Sequence, residues 1–177
     1  MEILDAAIQR LRRAGAPVYA HAGEAQACLH TLCEQLNPHA LHFALLDPFS
    51  LLLPFEIIKG LSALRRIDIM IHVSAMDLQR NFQRYSALRE SPLDTFAPGW
   101  RSHVRDVTGP DARFELVEYW VGELRKLGFT GEVRFELIRG PNRIPLYWLV
   151  LIAKHELGAK FWVKTLTHES GQPSMDF

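Results

Sequence analysis

The chain has 177 residues, of which 48% are hydrophobic and 23% are charged, the proportions of an ordinary folded domain. Twenty lysines and arginines balance twenty aspartates and glutamates, so the net charge excludes a long-range attraction to nucleic acid or to an anionic membrane. Because the first residues do not form a signal peptide and the apolar runs are too short to span a membrane, we expect a cytoplasmic protein without membrane association.

The first half of the chain predicts a regular alternation of helices and strands. In chain order, the patterns indicate a helix at 2–14, a strand at 17–21, a helix ending at Asn37-Pro38, a strand at 41–46, a helix at 54–65 and a strand at 67–73. The strand "LHFALL" at 41–46 is apolar at nearly every position, which is typical of a central parallel strand covered on both faces. Such alternation predicts a parallel α/β sheet with helices on both faces.

Both cysteines, Cys28 and Cys33, lie in the helix before this strand, on a stripe of apolar residues at helical spacing. A disulfide within one helix at this spacing would have poor geometry. A metal site would need further ligands, and His30 points off the stripe. We therefore predict two buried core thiols and no metal site.

The second half begins with a long polar excursion at 74–110, and excursions of this length are usually functional or disordered. A helix follows at 111–129, and its expected apolar face consists of Phe114, Val117, Val121 and Leu124. The stretches "EVRFELI" and "LYWLVLIA" predict two strands, and the short connection between them predicts an antiparallel hairpin. A last helix is predicted at 156–167, and residues 169–177 are expected to form a loose tail.

Three stretches of the chain resemble one protein family. They are "ALLDPFS" leading into "LPFEIIKGL", then "RIDIMIHVSAMDLQRNF", and finally "LYWLVLIAKHELGAKFWVKTL". The family is that of the three-Cys-motif partner proteins, bacterial proteins that resemble class I S-adenosylmethionine-dependent methyltransferases. The resemblance covers most of residues 17–168. It implies a Rossmann-like methyltransferase sheet, mostly parallel with a C-terminal antiparallel hairpin, in a single domain at 1–168 with an insertion at about 74–110.

The resemblance is to the latter part of such proteins, so the first two strands of the methyltransferase sheet have no counterpart here. Those strands supply the glycine-rich turn that holds the methionine end of the cofactor and the acidic residue that binds its ribose. This chain contains no Gly-x-Gly sequence. We therefore expect S-adenosylmethionine to be the cofactor of a complete family member and expect this chain not to bind it.

The missing first strand would leave the strand at 41–46 with a bare edge. A long apolar edge invites pairing with another chain. Two arrangements would cover it: the strand at 17–21 crosses over to pair with it, or two copies join. We expect the crossover, together with a homodimer formed through the exposed sheet edge.

Asp47, Pro48 and Phe49 are the predicted catalytic residues. For methyltransferases that act on nitrogen, the resemblance implies that oxygens of this turn accept hydrogen bonds from the target amino group and so aim its lone pair at the methyl group. The aromatic residue would stack on a flat substrate. The structural alternative is that Asp47 caps the next helix and that Pro48 stiffens the turn.

Five further residues are candidates for the rim of this site. By resemblance, Gly23 and Glu24 lie where the family binds the adenine of its cofactor, and the alternative is that they start a helix. Ser50 stands where family members usually have glycine, and it is assigned to the substrate side with Arg80 and Asn81. A guanidinium group there can bind a phosphate or a carboxylate, and a short solvated helix is the alternative.

The excursion at 74–110 also carries basic and aromatic residues whose composition suggests a lip that binds nucleic acid. They are Arg84, Tyr85, Arg89, Trp100, Arg101 and Arg105. No recognised motif accompanies them, and an ordinary surface is the alternative. His42 and His72, which lie inside apolar strands, are interpreted as core residues with satisfied hydrogen bonds.

Two hypotheses about function follow from these patterns. The first is a methyltransferase-like protein of the three-Cys-motif partner type, inactive or weakly active as this chain because the glycine-rich cofactor loop is absent. The second is a non-catalytic interaction module that acts as a homodimer or as the partner of another protein.

Overall fold

The computed structural model describes residues 2–15, 17–51, 53–129, 131, 133–155, 158 and 160. These residues form an open sheet of four strands: β1 (His42–Leu46), β2 (Ile67–Val73), β3 (Arg134–Arg139) and β4 (Pro145–Ala153). Their helices are α1 (Glu2–Arg13), α2 (Ala25–Gln35), α3 (Phe55–Leu61), α4 (Ala75–Ala87), α5 (Pro92–Phe96) and α6 (Ala112–Lys126). The predicted α/β class is therefore confirmed. None of the described helices is long and apolar enough to cross a membrane.

The strands are ordered β1-β2-β4-β3 across the sheet. β1 pairs parallel with β2, whereas β4 runs antiparallel to both of its neighbours, β2 and β3. The prediction of a mostly parallel sheet is wrong, because only the β1–β2 pairing is parallel. The predicted hairpin explains this result. Residues 140–144 between β3 and β4 are too few for a crossover helix, so β4 turns back and lies between β3 and β2.

The hydrophobic core lies on one face of the sheet. The fully buried strand side chains on this face are Ile67, Ile69, Ile71, Val73, Val150 and Ile152. They pack with buried side chains of α3, α4, α5 and α6. Within the described part of the chain, no side chain of the opposite sheet face belongs to this core. On that face Leu151 and Ala153 are nevertheless buried, and Gly158 lies close to Asp68 and Ala153. The predicted tail at 169–177 and most of the predicted helix at 156–167 lie outside the described residues.

β1 is an edge strand. The predicted strand at 17–21 does not form, because these residues adopt neither helix nor strand, and in the described sheet β1 pairs only with β2. On the face away from the core, the side chains of Phe43 and Leu45 are 61% and 60% exposed. The predictions of a crossover and of a strand covered on both faces are therefore wrong, and among the described residues no second strand pairs with β1.

The excursion at 74–110 folds back into the core. It contains α4 and α5, whose polar residues face solvent while apolar residues such as Phe82 and Phe96 are buried. The ring of Phe96 stacks on that of Trp120 in α6, with centroids 4.7 Å apart. Trp100 is also fully buried. The excursion is polar in composition because its helices are amphipathic, and it forms part of the structural core.

Helix α2 packs against α3 through its apolar stripe. Leu29 lies so close to Gly60 that a Cβ atom there would approach the Leu29 side chain within 2.3 Å, which explains the glycine inside α3. Cys28 and Cys33 are free thiols and only half-buried, so the prediction of full burial is wrong. The burial that remains raises the pKa of the Cys33 thiol.

Candidate functional site

Asp47 and His72 meet at one edge of the sheet. Asp47 directly follows β1, and His72 is the second-last residue of β2. Because β1 and β2 are parallel, their carboxyl ends lie side by side, and His72 Nδ1 lies 2.7 Å from Asp47 Oδ1. The imidazole is mostly buried, whereas the Asp47 side chain is 72% exposed. The pair therefore holds one carboxylate oxygen in place and leaves the other open to a ligand.

Tyr147 of β4 fixes the other side of the imidazole. Its ring meets the His72 ring edge-on, with centroids 4.2 Å apart and an angle of 84° between the planes. Both rings lie on the sheet face that points away from the core, as the pairing of His72 with Leu149 requires. The interpretation of His72 as a core residue is therefore wrong, although its hydrogen bond to Asp47 satisfies it.

The turn after Asp47 presents an aromatic side chain to solvent. Phe49 is fully exposed, and Pro48 and Ser50 are half-buried. Asp47 does not cap the following helix: α3 begins at Phe55, and its N-cap is Pro54, without a side-chain capping bond. The alternative explanation of Asp47 as a helix cap is therefore wrong. The turn offers a carboxylate and an aromatic face on the same surface.

Asp77 of α4 ties this turn to the helix layer. Its carboxylate accepts hydrogen bonds from the Leu51 backbone N–H at 2.9 Å, from Asn81 Nδ2 at 2.6 Å and from the Tyr85 hydroxyl at 3.0 Å. Asn81, predicted to face substrate, therefore uses its amide to hold Asp77. Arg80 is exposed and forms no hydrogen bond or ion pair with any described residue, so its guanidinium group is open to solvent.

Gly23 and Glu24 lie at the start of α2. Gly23 has a φ of +146°, and a Cβ atom there would come within 3.1 Å of Cys28 Sγ. Glu24 is the N-cap residue of α2, is exposed and forms no side-chain capping bond. No hydrogen bond joins either residue to Asp47 or His72 in the described part of the chain. The positive φ of Gly23 and its contact with Cys28 therefore explain this glycine as part of the start of α2.

The two aromatic residues of the lip predicted in the excursion, Tyr85 and Trp100, are buried, whereas its four arginines are exposed. Trp100 is fully buried, and the Arg101 guanidinium group lies over its ring, 4.7 Å from the centroid. Arg101 also donates to Asp94 and to the carbonyls of Ser86 and Leu88. Trp100 cannot stack on a base, and Arg101 is engaged by these contacts, whereas Arg84, Arg89 and Arg105 stay exposed.

Sequence reasoning places Asp47 at the carboxyl edge, as the structure does, but misses its partner His72 and the ring of Tyr147 that packs on His72. A signal for His72 is present, because polar residues at the ends of successive parallel strands converge on one edge of a sheet. No such signal exists for Tyr147, whose position depends on the insertion of β4 beside β2. Metal chemistry has no candidate among the described residues, which contain no group of three or more metal-ligating side chains.

Comparison of the chain with protein-family models, with curated proteins and with solved structures finds no match in any of the three. The Asp47–His72 pair, its aromatic neighbours and the open sheet edge are therefore the observations from which a function can be inferred.

Proposed function

We propose that this chain is methyltransferase-like, of the three-Cys-motif partner type, and that it carries the substrate side of such a domain. The hydrogen bond between His72 and Asp47, directly before Pro48 and the exposed Phe49, supports this proposal most. Ligands of open α/β sheets bind outside the carboxyl ends of the strands, where this pair lies. The antiparallel hairpin that closes the sheet is a further feature of the methyltransferase variant of this architecture.

The role we assign to Asp47 is to orient an acceptor nitrogen. An ionised carboxylate only accepts hydrogen bonds, so one oxygen takes the His72 N–H and the other can take an N–H of the acceptor. Aiming the acceptor lone pair in this way is catalysis by positioning. Phe49 would stack on a flat acceptor. His72 would act as a positioning residue, because it holds Asp47 and does not itself reach the acceptor.

The described residues do not fit S-adenosylmethionine. Gly23 packs beside Cys28, Glu24 points into solvent, and the chain has no glycine-rich turn of the Gly-x-Gly type. We therefore infer that this chain is inactive or weakly active by itself.

Calorimetric titration of the chain with S-adenosylmethionine tests the inferred lack of cofactor binding. We expect no binding in the micromolar range, and micromolar affinity would contradict the inference. The DNA upstream of the Met1 codon is a second test. An in-frame strand followed by Gly-x-Gly would support the methyltransferase-like proposal, whereas its absence would favour the second candidate below.

Where such an upstream sequence is encoded, the longer chain allows a direct test of Asp47. The assay measures transfer of labelled methyl groups from S-adenosylmethionine to nucleic acid and protein extracts. We expect Asp47→Ala to lower the rate by roughly a hundredfold, because positioning is lost. Asp111→Asn, an exposed carboxylate at the start of α6, is the matched control and should leave the rate unchanged.

A second candidate function is a non-catalytic interaction module. The bare edge of β1 and the exposed side chains of Phe43 and Leu45 beside it favour this function. An open edge presents unpaired backbone groups, and an adjoining apolar surface adds burial when a partner strand joins it. A second copy of this chain or another protein could supply that strand.

Size-exclusion chromatography with light scattering tests this second candidate. We expect a dimer for the unmodified chain and a monomer for Leu45→Lys, because a lysine on the exposed face opposes edge pairing. Phe114→Lys, which changes an equally exposed apolar residue on α6, is the matched control and should stay dimeric. A stable monomer of the unmodified chain at high concentration would refute self-association.

A further inference from the structure

A pocket lies on the other side of the sheet from the Asp47–His72 pair. It is an open cavity of about 730 Å³ between α6 and the hairpin of β3 and β4. Its strand side is formed by Phe135 and Trp148, and its helix side by Phe114, Val117 and Val121. The volume lies within the range of small-molecule sites, and apolar and aromatic side chains dominate such sites.

The pocket exists because α6 carries two apolar stripes. The first stripe is buried in the core and consists of Ala112, Leu116, Trp120 and Leu124. The second stripe contains Phe114, Val117 and Val121, and it faces the hairpin across the pocket. Val121 lies where the two stripes meet, because it is also buried in the core. The prediction that Phe114 belongs to the core face is wrong, since its side chain is 64% exposed. The fold itself does not need a large aromatic residue at this position.

The charges around the pocket favour an anion at one end. Arg113 and Arg125 line it at opposite ends of α6, and Glu118, between them in the sequence, is its acidic lining residue. Neither arginine forms an ion pair or hydrogen bond with any described residue. Arg113 belongs to the first turn of α6 and lines the pocket together with Ala75 and Gln79 of α4. The amino-terminal ends of both helices add positive potential there.

We propose that this pocket binds a flat, mainly apolar small molecule that carries one anionic group. The apolar body lies between α6 and the hairpin, against Trp148 and Phe135. The anion lies on Arg113, whose guanidinium group can bind a carboxylate, phosphate or sulfonate through two parallel hydrogen bonds. The site is independent of the function proposed for Asp47.

Anilinonaphthalenesulfonate, a flat aromatic anion that fluoresces when bound, is a suitable probe for the full chain. Its neutral analogue phenylnaphthylamine lacks the sulfonate group. We expect the anion to bind at one site, and we expect Arg113→Gln to weaken its affinity by at least about fivefold, because a charged hydrogen-bonded contact is lost. The same substitution should not change the affinity of the neutral probe. Arg125→Gln, at the far end of α6, is the matched control and should have less than about a twofold effect.

Two further variants identify the site. Val117→Trp fills the pocket and should abolish binding of both probes, while circular dichroism verifies that this variant is folded. Phe43→Ser removes part of the other exposed apolar surface and should leave both affinities unchanged. Fluorescence that responds to Phe43→Ser and not to Val117→Trp would overturn the proposal. So would equal effects of Arg113→Gln and Arg125→Gln on the anionic probe.

Discussion

At the scale of single residues, His72 determines how Asp47 is presented. A lone carboxylate on a turn would sample several rotamers, whereas a hydrogen bond of 2.7 Å to a mostly buried imidazole favours one of them. Tyr147 in turn limits rotation of the imidazole. The arrangement resembles a site in which a second residue orients the group that meets the ligand.

Asp47→Ala should change the free energy of unfolding by less than about 1 kcal/mol, because the side chain is mostly exposed and caps no helix. Asp77→Ala should cost roughly 2–3 kcal/mol, since three donors lose their acceptor. Urea unfolding monitored by circular dichroism measures both. If Asp47→Ala lowered the free energy of unfolding as much as Asp77→Ala, Asp47 would have a structural role.

Asp94 should make the fold sensitive to acid. Burial by itself raises the pKa of the Asp94 carboxyl, but hydrogen bonds from Arg101, Trp100 and Ser91 outweigh it, so this pKa lies below its usual value. The stabilisation is therefore present above the unfolded pKa near 4 and is lost as the pH falls through the folded pKa.

Asp94→Asn should cost roughly 2 kcal/mol near neutral pH, because charge-assisted hydrogen bonds are weakened, and the difference from the unmodified chain should shrink in acid. Urea unfolding at pH values from neutral to about 3 measures it. Asp111→Asn, at a helix start without a side-chain capping bond, should change much less. A constant difference across this range would show that the carboxylate charge is not involved.

Asp68 should have the opposite effect on stability. Burial raises the pKa of its carboxyl group, and a hydrogen bond from the Lys154 backbone and the charge of His155 only partly offset this. Ionisation of Asp68 therefore opposes folding, so stability falls as the pH rises from the unfolded pKa through the folded one.

Asp68→Asn should raise the free energy of unfolding by up to about 1 kcal/mol near neutral pH. The gain should disappear near about pH 3, because Asp68 is then largely protonated in both the folded and the unfolded state of the unmodified chain. Urea unfolding of the variant and of the unmodified chain at the two pH values measures this difference in the free energy of unfolding. A variant that is less stable than the unmodified chain at neutral pH would mean that ionisation of Asp68 does not oppose folding.

At the scale of elements, the sequence predicts where helices and strands lie along the chain better than it predicts which of their faces are buried. β2 forms at Ile67–Val73 as predicted, because β-branched residues occupy every second position of the strand. α6 also forms where it was expected. Of its predicted apolar face, Val121 and Leu124 are buried, but Phe114 is exposed, because the buried stripe is centred on Leu116 and Trp120. For β1, an apolar run cannot show whether both of its faces are covered.

A pair of neighbouring residues on α6 tests this assignment of stripes. Leu116→Ala should lower the free energy of unfolding by about 2–5 kcal/mol, because Leu116 is fully buried. Val117→Ala should cost about 1 kcal/mol or less, because Val117 lines the open pocket. Urea unfolding of the two variants gives both values, and similar losses would mean that the second stripe also belongs to the core.

At the scale of the whole molecule, the main difference from expectation is the exposure of Phe43 and Leu45 of β1 on the sheet face away from the core. The α/β class and the closing hairpin could be predicted, because they follow from local patterns and from the length of one connection. The pairing of His72 with Asp47 and the exposure of Phe43 could not be predicted in this way. They depend on which elements pack against each face, and that information is not local in the sequence.

The position of β4 inside the sheet also constrains the order in which the chain can fold. Ile71 of β2 pairs with Val150 of β4, almost eighty residues later along the chain, so this ladder closes a long loop and forms slowly. Until β4 arrives, the buried apolar residues of β2 lack a partner on that side. A nascent chain that ends before β4 therefore exposes the apolar surface of an incomplete sheet. We expect chaperones to bind such a chain during synthesis.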